Sequence, residues 1–465
     1  LNQTMKETGP YWEKFEQLES ALNRPSWLFP IRKAAIARFA ELGFPTLDDE
    51  DWRFTNVAPV ARLPFNPALA PSPMEASALE RFSFGKIPAS RLVFVDGHFS
   101  RELSSILPQP DGVKIGSLAG ALLAELPALE KHLTRLTQGS DNSFASLNNA
   151  FFQDGAFIHV PVGKSVNEPV HLVFVSTVSE PGLTILPRNL IIAEKSSQLT
   201  VIESFVTSAD VAPPLLGERA GVRAVNPTPN TPAYVTNAVD ELFIGENAVV
   251  EHCKFQDESL QAFHLASIHA HLGRNCNFIA HSIATGGRLS RNNIRTSLAD
   301  EGVECVLNGL YLTRDDQLAD HHMVVEHAKP HCNSHEYYNG ILDGRSKGVF
   351  HGRILVQPDA QKTDAKQTNK NLLLSDEATI DTKPQLEIYA DDVKCTHGAT
   401  VGQLNEESIF YLRARGIGEE TARRMLIHAF AGEIIDRIRF EPARQEMDKI
   451  VWDRLEQNPL VAGGN

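Results

Sequence analysis

From Asp154-Gly155 onward the chain leaves helical periodicity for short apolar or alternating runs: AFIHVPVG at 156–163, PVHLVFVS at 169–176, RNLIIAEKSSQLTVIESF at 188–205 and NAVVEHCKF at 247–255. Gly, Asn, Asp and Ser separate them. Such runs predict strands. A weak repeat recurs among them: IGENAVVEH, LGRNCNFIAH and EGVECVLNG place Gly245, Gly273 and Gly302 at intervals of 28 and 29 residues, each ahead of a short strand. No clear amphipathic helix fills the gaps, which disfavours βαβ units, whose crossovers need about a dozen residues or more. Short strands at a fixed period fit a solenoid in which each coil stacks only on its neighbours. Three approximate repeats leave a large antiparallel sandwich as the competing arrangement. The polar stretch DAQKTDAKQTNKN at 359–371 reads as a solenoid turn with a polar outer face, or as a loop.

Helical patterns flank this β-rich centre. Trp12, Phe15, Leu18 and Leu22, then Ile31, Ala35, Phe39 and Leu42, recur at three- and four-residue steps, with Pro25 and Pro30 dividing residues 10–43 into two helices. Residues 59–73 read as a loop, RLVFVDGHF at 91–99 as a β run closed by an Asp-Gly turn, and 116–134 and 143–152 as further helices. GEETARRMLIHAFAGEIIDRI from 418 carries Ala422, Met425, Leu426, Ala429, Phe430, Ile434 and Ile438 on one predicted face. The expected plan is a predominantly helical region over 1–155 with short strands, a β-helix core over 156–410, and a helical region over 411–465 that caps the open end of the solenoid.

The 465 residues suffice for a large core. Acidic residues outnumber basic ones 58 to 44, and the formal charge of -14 makes nucleic acid an unfavourable partner. No segment has the roughly 18–20 uninterrupted apolar residues of a membrane helix, and LNQTMKETGPYWEKF lacks the order of a secretory signal, so a cytoplasmic protein without membrane partners is expected. The five cysteines, Cys253, Cys276, Cys305, Cys332 and Cys395, include no CxxC pair, which excludes four cysteine ligands preformed in one short segment. All five, with twelve of the seventeen histidines, lie between His252 and His397.

Several longer stretches carry a resemblance: GFPTLDDEDWRFTNV at 43–57, LVFVDGHF at 92–99, LNNAFFQDGAFIHVPVG at 147–163 and DHHMVVEHAKPHCNSHEYYNGILDGRSKGVFHGRILV at 320–356. QTNKNLLLSDEATIDTKPQLEIYADDVKCTHGATVGQL at 367–404 and RARGIGEETARRMLIHAFAGEII at 413–435 extend it. Together they resemble the SufB/SufD family of iron-sulfur cluster assembly scaffolds, SufD-type members more closely than SufB-type. The resemblance implies a right-handed parallel β-helix flanked by helical regions, pairing with SufB through the β-helix and docking of the SufC ATPase through the C-terminal helices. On it, the helix at 418–435 is the SufC contact; the competing reading is an amphipathic helix packed only on its own core. The resemblance also implies no cofactor stably bound to the isolated chain and an iron-sulfur cluster held transiently in the assembled complex. A homodimer of the isolated chain stays open.

The sharpest local candidate for chemistry is Asp391-Asp392-Val393-Lys394-Cys395-Thr396-His397-Gly398. In a strand Cys395 and His397 project to one face, and a thiolate with an imidazole suits iron or zinc. Two ligands do not complete a site; the remainder would come from another coil, another subunit or the nascent cluster. By resemblance this segment lies at the SufB interface, with His397 as a cluster ligand and Cys395 as a supporting thiol. A buried cysteine beside a hydrogen-bonded histidine is the competing reading.

A second concentration is Asp320, His321, His322, His327, His331, Cys332 and His335. Helical spacing would align His327, His331 and His335, but Pro330 favours β or turn structure that disperses them into packing and hydrogen-bonding roles. His252, Cys253, His269, His271, Cys276 and His281 read individually as core residues. GxxxxGK[ST], GxGxxG and GxSxG are absent, so ATP chemistry belongs to a partner, and YYNGILDGRSKG reads as β-helix turns. The expected function is a non-catalytic scaffold. The alternatives are a carbohydrate-active β-helix enzyme and a homodimeric structural protein without a metal role.

Overall fold

The computed structural model describes residues 2–21, 24–79, 87–139, 141–208 and 232–457. The centre is a right-handed parallel β-solenoid flattened into two sheets. Sheet A runs from Lys114–Ser117 through Ala156–Val160, Arg188–Ala193, Tyr234–Ile244, Ala262–Leu272, Leu289–Leu298, Leu318–His327 and Lys347–Val356 to Thr379–Ile388. Sheet B runs from the hairpin Ser90–Val95 and His98–Ser105 through Val170–Ser176, Gln198–Thr207, Val249–Asp257, Asn277–Ala284, Glu304–Thr313, Asn333–Leu342 and Asp364–Leu373 to Lys394–Gly402. The coils pair in parallel; among the described residues only the hairpin and the Lys114–Ser117 strand pair antiparallel. An antiparallel sandwich is thereby excluded.

The coil length follows from the register Val249, Asn277, Glu304, Asn333, Asp364, Lys394, successive steps of 28, 27, 29, 31 and 30 residues. Gly302 is not the equivalent of Gly245 and Gly273. It lies two positions on, at the corner where Asn247, Asn275, His331 and Lys362 also adopt positive φ. The next residue at each corner, Ala248, Cys276, Val303, Cys332 and Thr363, is buried. The repeat is real; its shared signal is a left-handed corner followed by an inward residue, and glycine fills it once because asparagine tolerates the same conformation.

The polar stretch at 359–371 is neither a loop nor a turn with an outward polar face. Most of it is the strand Asp364–Leu373, whose Gln367, Asn369 and Asn371 are buried in the solenoid. Asn369 donates to the Tyr338 carbonyl at 3.2 Å, and Tyr311 donates to Asn371 Oδ1 at 2.5 Å, so both asparagines find partners inside.

Helices Asn2–Ala21 and Leu28–Leu42 confirm the N-terminal pair, but Pro30 does not break the second; it sits in its first turn, where its missing N–H is not needed. The N-terminal elements cover the outer face of sheet A: Leu28, Leu118, Leu122 and Phe152 pack on Phe157, Leu190 and Ile192, while Trp52, Val57, Val60 and Phe144 pack on Val235, Phe263 and Leu265. Asp96 and Gly97 form the expected turn of the hairpin, both with positive φ. Phe99 of this hairpin, with Val113 and Ile115, covers the first coil of the core.

The C-terminal helices Glu406–Ala414, Glu419–Ile435 and Glu441–Gln457 do not cap the far end as expected. Glu419–Ile435 and Glu441–Gln457 lie along the outer face of sheet B, where Ile427, Ala431, Ile434 and Ile438, with Met447 and Val451, pack on Phe255, Ile283, Leu310, Ile341 and Leu372, and Glu406–Ala414 packs beside Glu419–Ile435. The buried face of the middle helix is also rotated from the expected one: Met425 and Ala429 are exposed, and Ile427, Ala431 and Ile435 are buried. The helix is sandwiched between the sheet and its neighbouring helices, so its apolar residues are spread round the axis and no single stripe stands out.

Candidate functional site at the open end of the solenoid

With the helices lying on the faces, Thr379–Ile388 and Lys394–Gly402 end their sheets with no further strand beside them among the described residues. Register places Cys395 over Ala365, His397 over Gln367 and Val401 over Asn371, all on inward rows. In earlier coils these positions are sealed; here no coil follows. His397 and Val401 are therefore exposed. Cys395 is half-buried against the cluster of Ile354, Val356, Ala360 and Ala365, and that burial, with Asp364 nearby, raises its thiol pKa. It is therefore a protonated thiol at neutral pH.

Beneath His397 stands a polar column. Gln367 Nε2 donates to Glu336 Oε2 at 2.5 Å one coil further in. Glu336 is fully buried, and burial pushes its carboxyl up to about 7 against the opposing hydrogen bond from Gln367. Gly352 on the facing sheet makes room, since a Cβ there would collide with the Gln367 side-chain amide.

The histidines of 320–335 disperse as the β reading expected. His321 points inward between Tyr311 and Tyr338, and His327 inward to Ser334. His331 lies at a corner, and His335 stacks on Tyr337. Asp320 faces outward and anchors the DDEDWRF segment: it accepts from Thr55 Oγ1 and Arg291 Nη1, each at 2.5 Å, while the Arg291 guanidinium lies 3.7 Å from the Trp52 ring centroid. Cys253, Cys276, Cys305 and Cys332 are buried.

Among the described residues three groups bring metal-capable atoms within 4.8 Å of one another: Asp51 with His322 and His351, Glu251 with Cys253 and His281, and Glu203 with Asp240 and His252. Reading each histidine alone misses them. The coil period contains the signal, because His281 stands beside Cys253 and His351 beside His322 in register. In the third group Asp240 is raised to about 7 by burial and by Glu203, and His252, with Lys254 after it, supplies the opposing positive charge; Lys254 itself is lowered to about 8 by burial. Cys395 and His397 belong to none of the three. Their site is open to whatever docks on the end of the solenoid.

The profile described as the SUF system FeS cluster assembly SufBD core domain matches residues 174–430, and that of the SufBD protein N-terminal region matches residues 5–172. An iron-sulfur cluster assembly SufBD family protein of Synechocystis sp. is 33% identical over 91% of this chain and 90% of its own length. The iron-sulfur cluster assembly protein SufD of Escherichia coli is 30% identical over 92% of this chain and 93% of its own. Protein ABCI7, chloroplastic, of Arabidopsis thaliana is 28% identical over 93% of this chain and 88% of its own. A two-sheet parallel solenoid with helical regions on its faces, matched along nearly its whole length, makes the chain a member of the SufBD family of iron-sulfur cluster assembly scaffolds.

Proposed function

We propose that this chain is a non-catalytic, SufD-type subunit that pairs with a SufB-type partner through the open end of its solenoid. The observation that carries the reading is the bare last coil. Among the described residues two adjacent edge strands have no strand beside them, and inward-row residues His397 and Val401 are exposed instead of sealed. An uncovered edge of this kind is a template for another chain. Ile388, Tyr389 and Val401 add apolar area to the same end. His397 then contributes an imidazole to a cluster assembled at the junction as cargo, with Cys395 one row away as the supporting thiol. The partner supplies the remaining ligands.

A SufC-type ATPase docks on the C-terminal helices, where Phe410 and Tyr411 are exposed on the first helix and Met425 on the second, opposite the face of the latter that grips sheet B. Energy enters through that partner, because the chain has no phosphate-binding loop motif.

The test is anaerobic cluster reconstitution on the chain co-expressed with the SufB- and SufC-type proteins of its own organism, comparing the native chain with His397→Ala while native mass spectrometry follows assembly. Loss of cluster with the complex intact supports the assignment. Unchanged cluster formation removes His397 from it, and a chain that stays out of the complex overturns the pairing.

A further inference from the structure

The structure assigns to this chain a binding site for one borderline-soft divalent first-row cation, such as Zn(II), formed by Glu251, Cys253 and His281 where the C-terminal helices meet sheet B. The three side chains point outward from neighbouring strands; Cys253 and His281 are register partners, and Glu251 lies two residues from Cys253 on the same face. All three are buried, and their ligand atoms already lie within 4.8 Å of one another. A tetrahedral site with bonds of about 2.0–2.3 Å needs closure by only about 1 Å, within reach of side-chain rotation, and leaves the fourth position for water.

Electrostatics separates this group from the other two. Arg291, Lys383 and Arg295 all act against added positive charge at His322, and His252 and Lys254 already counter the charge of the Glu203–Asp240 pair. At Cys253 the charge that bears on the thiol is the Glu251 carboxylate, which in turn pairs with His281 at 3.2 Å. Glu251 also accepts from the backbone N–H of Arg439 at 2.8 Å, which fixes the carboxylate and joins it to the C-terminal segment.

The second layer fits as well. Asn308 lies 3.4 Å from His281 Nδ1, and its buried Oδ1 has no hydrogen-bond partner among the described residues. Turning the amide over presents Oδ1 to Nδ1–H, which fixes the tautomer and frees the Nε2 lone pair for a cation; metal-bound histidines are commonly held in this way. On binding, the Cys253 S–H proton passes to solvent and a sulfur–metal bond forms, with no change in oxidation state. The carboxylate and thiolate together balance the divalent charge. The bound ion would clamp the C-terminal helices to the solenoid, independently of any cluster at the far end.

The test uses the full chain stripped of metal by a chelator and titrated with Co(II). The expected result is one equivalent bound, with a thiolate-to-cobalt charge-transfer band that Zn(II) abolishes. Cys253→Ser should lose the band, and Asn308→Ala should weaken binding by about 10- to 100-fold. A band that survives in Cys253→Ser, or no uptake beyond that variant, overturns the site. Should Cys253→Ser fail to fold by circular dichroism, Glu251→Gln and His281→Gln decide: full affinity in both overturns the assignment. Cluster reconstitution with His397→Ala is a separate readout, so either proposal can fail alone.

Discussion

Glu336 holds the amide of Gln367 at 2.5 Å in the interior, directly below the row that ends at His397. A carboxyl raised from its ordinary value to about 7 favours the folded state fully only below its unfolded pKa near 4.5, and this contribution disappears as pH rises through about 7. Over that window the loss is about 3 kcal/mol, since a tenfold change in proton affinity is worth roughly 1.4 kcal/mol. Glu336→Gln keeps an acceptor for Gln367 and removes the ionisation. Urea denaturation should find it close to the native chain at pH 4.5 and more stable by about 2 kcal/mol at pH 8.5.

His321 behaves in the opposite sense. Buried between Tyr311 and Tyr338, with neither ring nitrogen hydrogen-bonded among the described residues, it is held down to about 3 by burial and, secondarily, by Lys254. The unfolded chain therefore binds a proton near pH 6.5 that the folded chain refuses, so stability falls as pH drops below about 6.5, by about 1.4 kcal/mol for each pH unit. His321→Phe should match the native chain at pH 8 and exceed it increasingly toward pH 5, as read from thermal unfolding.

Asp320→Ala would strand the Arg291 guanidinium, which is fully buried under Trp52. Removing one partner of a buried pair costs about 3–5 kcal/mol. Because the pair also receives Thr55, residues 43–57 should loosen first. Limited proteolysis should cut there before any site in the solenoid.

Gly352→Ala drives a methyl group into the Gln367 side-chain amide and to 3.0 Å from Glu336 Oε2. Overpacking of this kind costs about 1–3 kcal/mol. Denaturant midpoints should fall accordingly, and combining it with Gln367→Ala should recover part of the loss, because the clash and the amide are removed together.

The strand texture after Gly155, the coil period of about 28 residues, the Asp-Gly hairpin and the helical flanks are legible because each is local, set by side-chain alternation, turn chemistry or apolar periodicity over a few residues. The same local logic places Cys395 and His397 on one face of a strand. It also overreaches: Gly302 matches Gly245 in letter but not in corner position, and of the face that the apolar periodicity predicts for the helix at 418–435, Ala422, Ile434 and Ile438 are buried while Met425 and Ala429 are exposed.

By itself the sequence determined that the chain would stack coils and that its histidines and cysteines would crowd the later ones. Only the tertiary structure decided which of them meet. Neighbours in a parallel solenoid are a whole coil apart, and coil lengths vary from 27 to 31 residues, so one uncertain corner moves every partner across the sheet. That register joined Cys253 to His281 and His322 to His351. The docking of helices along the faces left the last coil, with His397, uncovered.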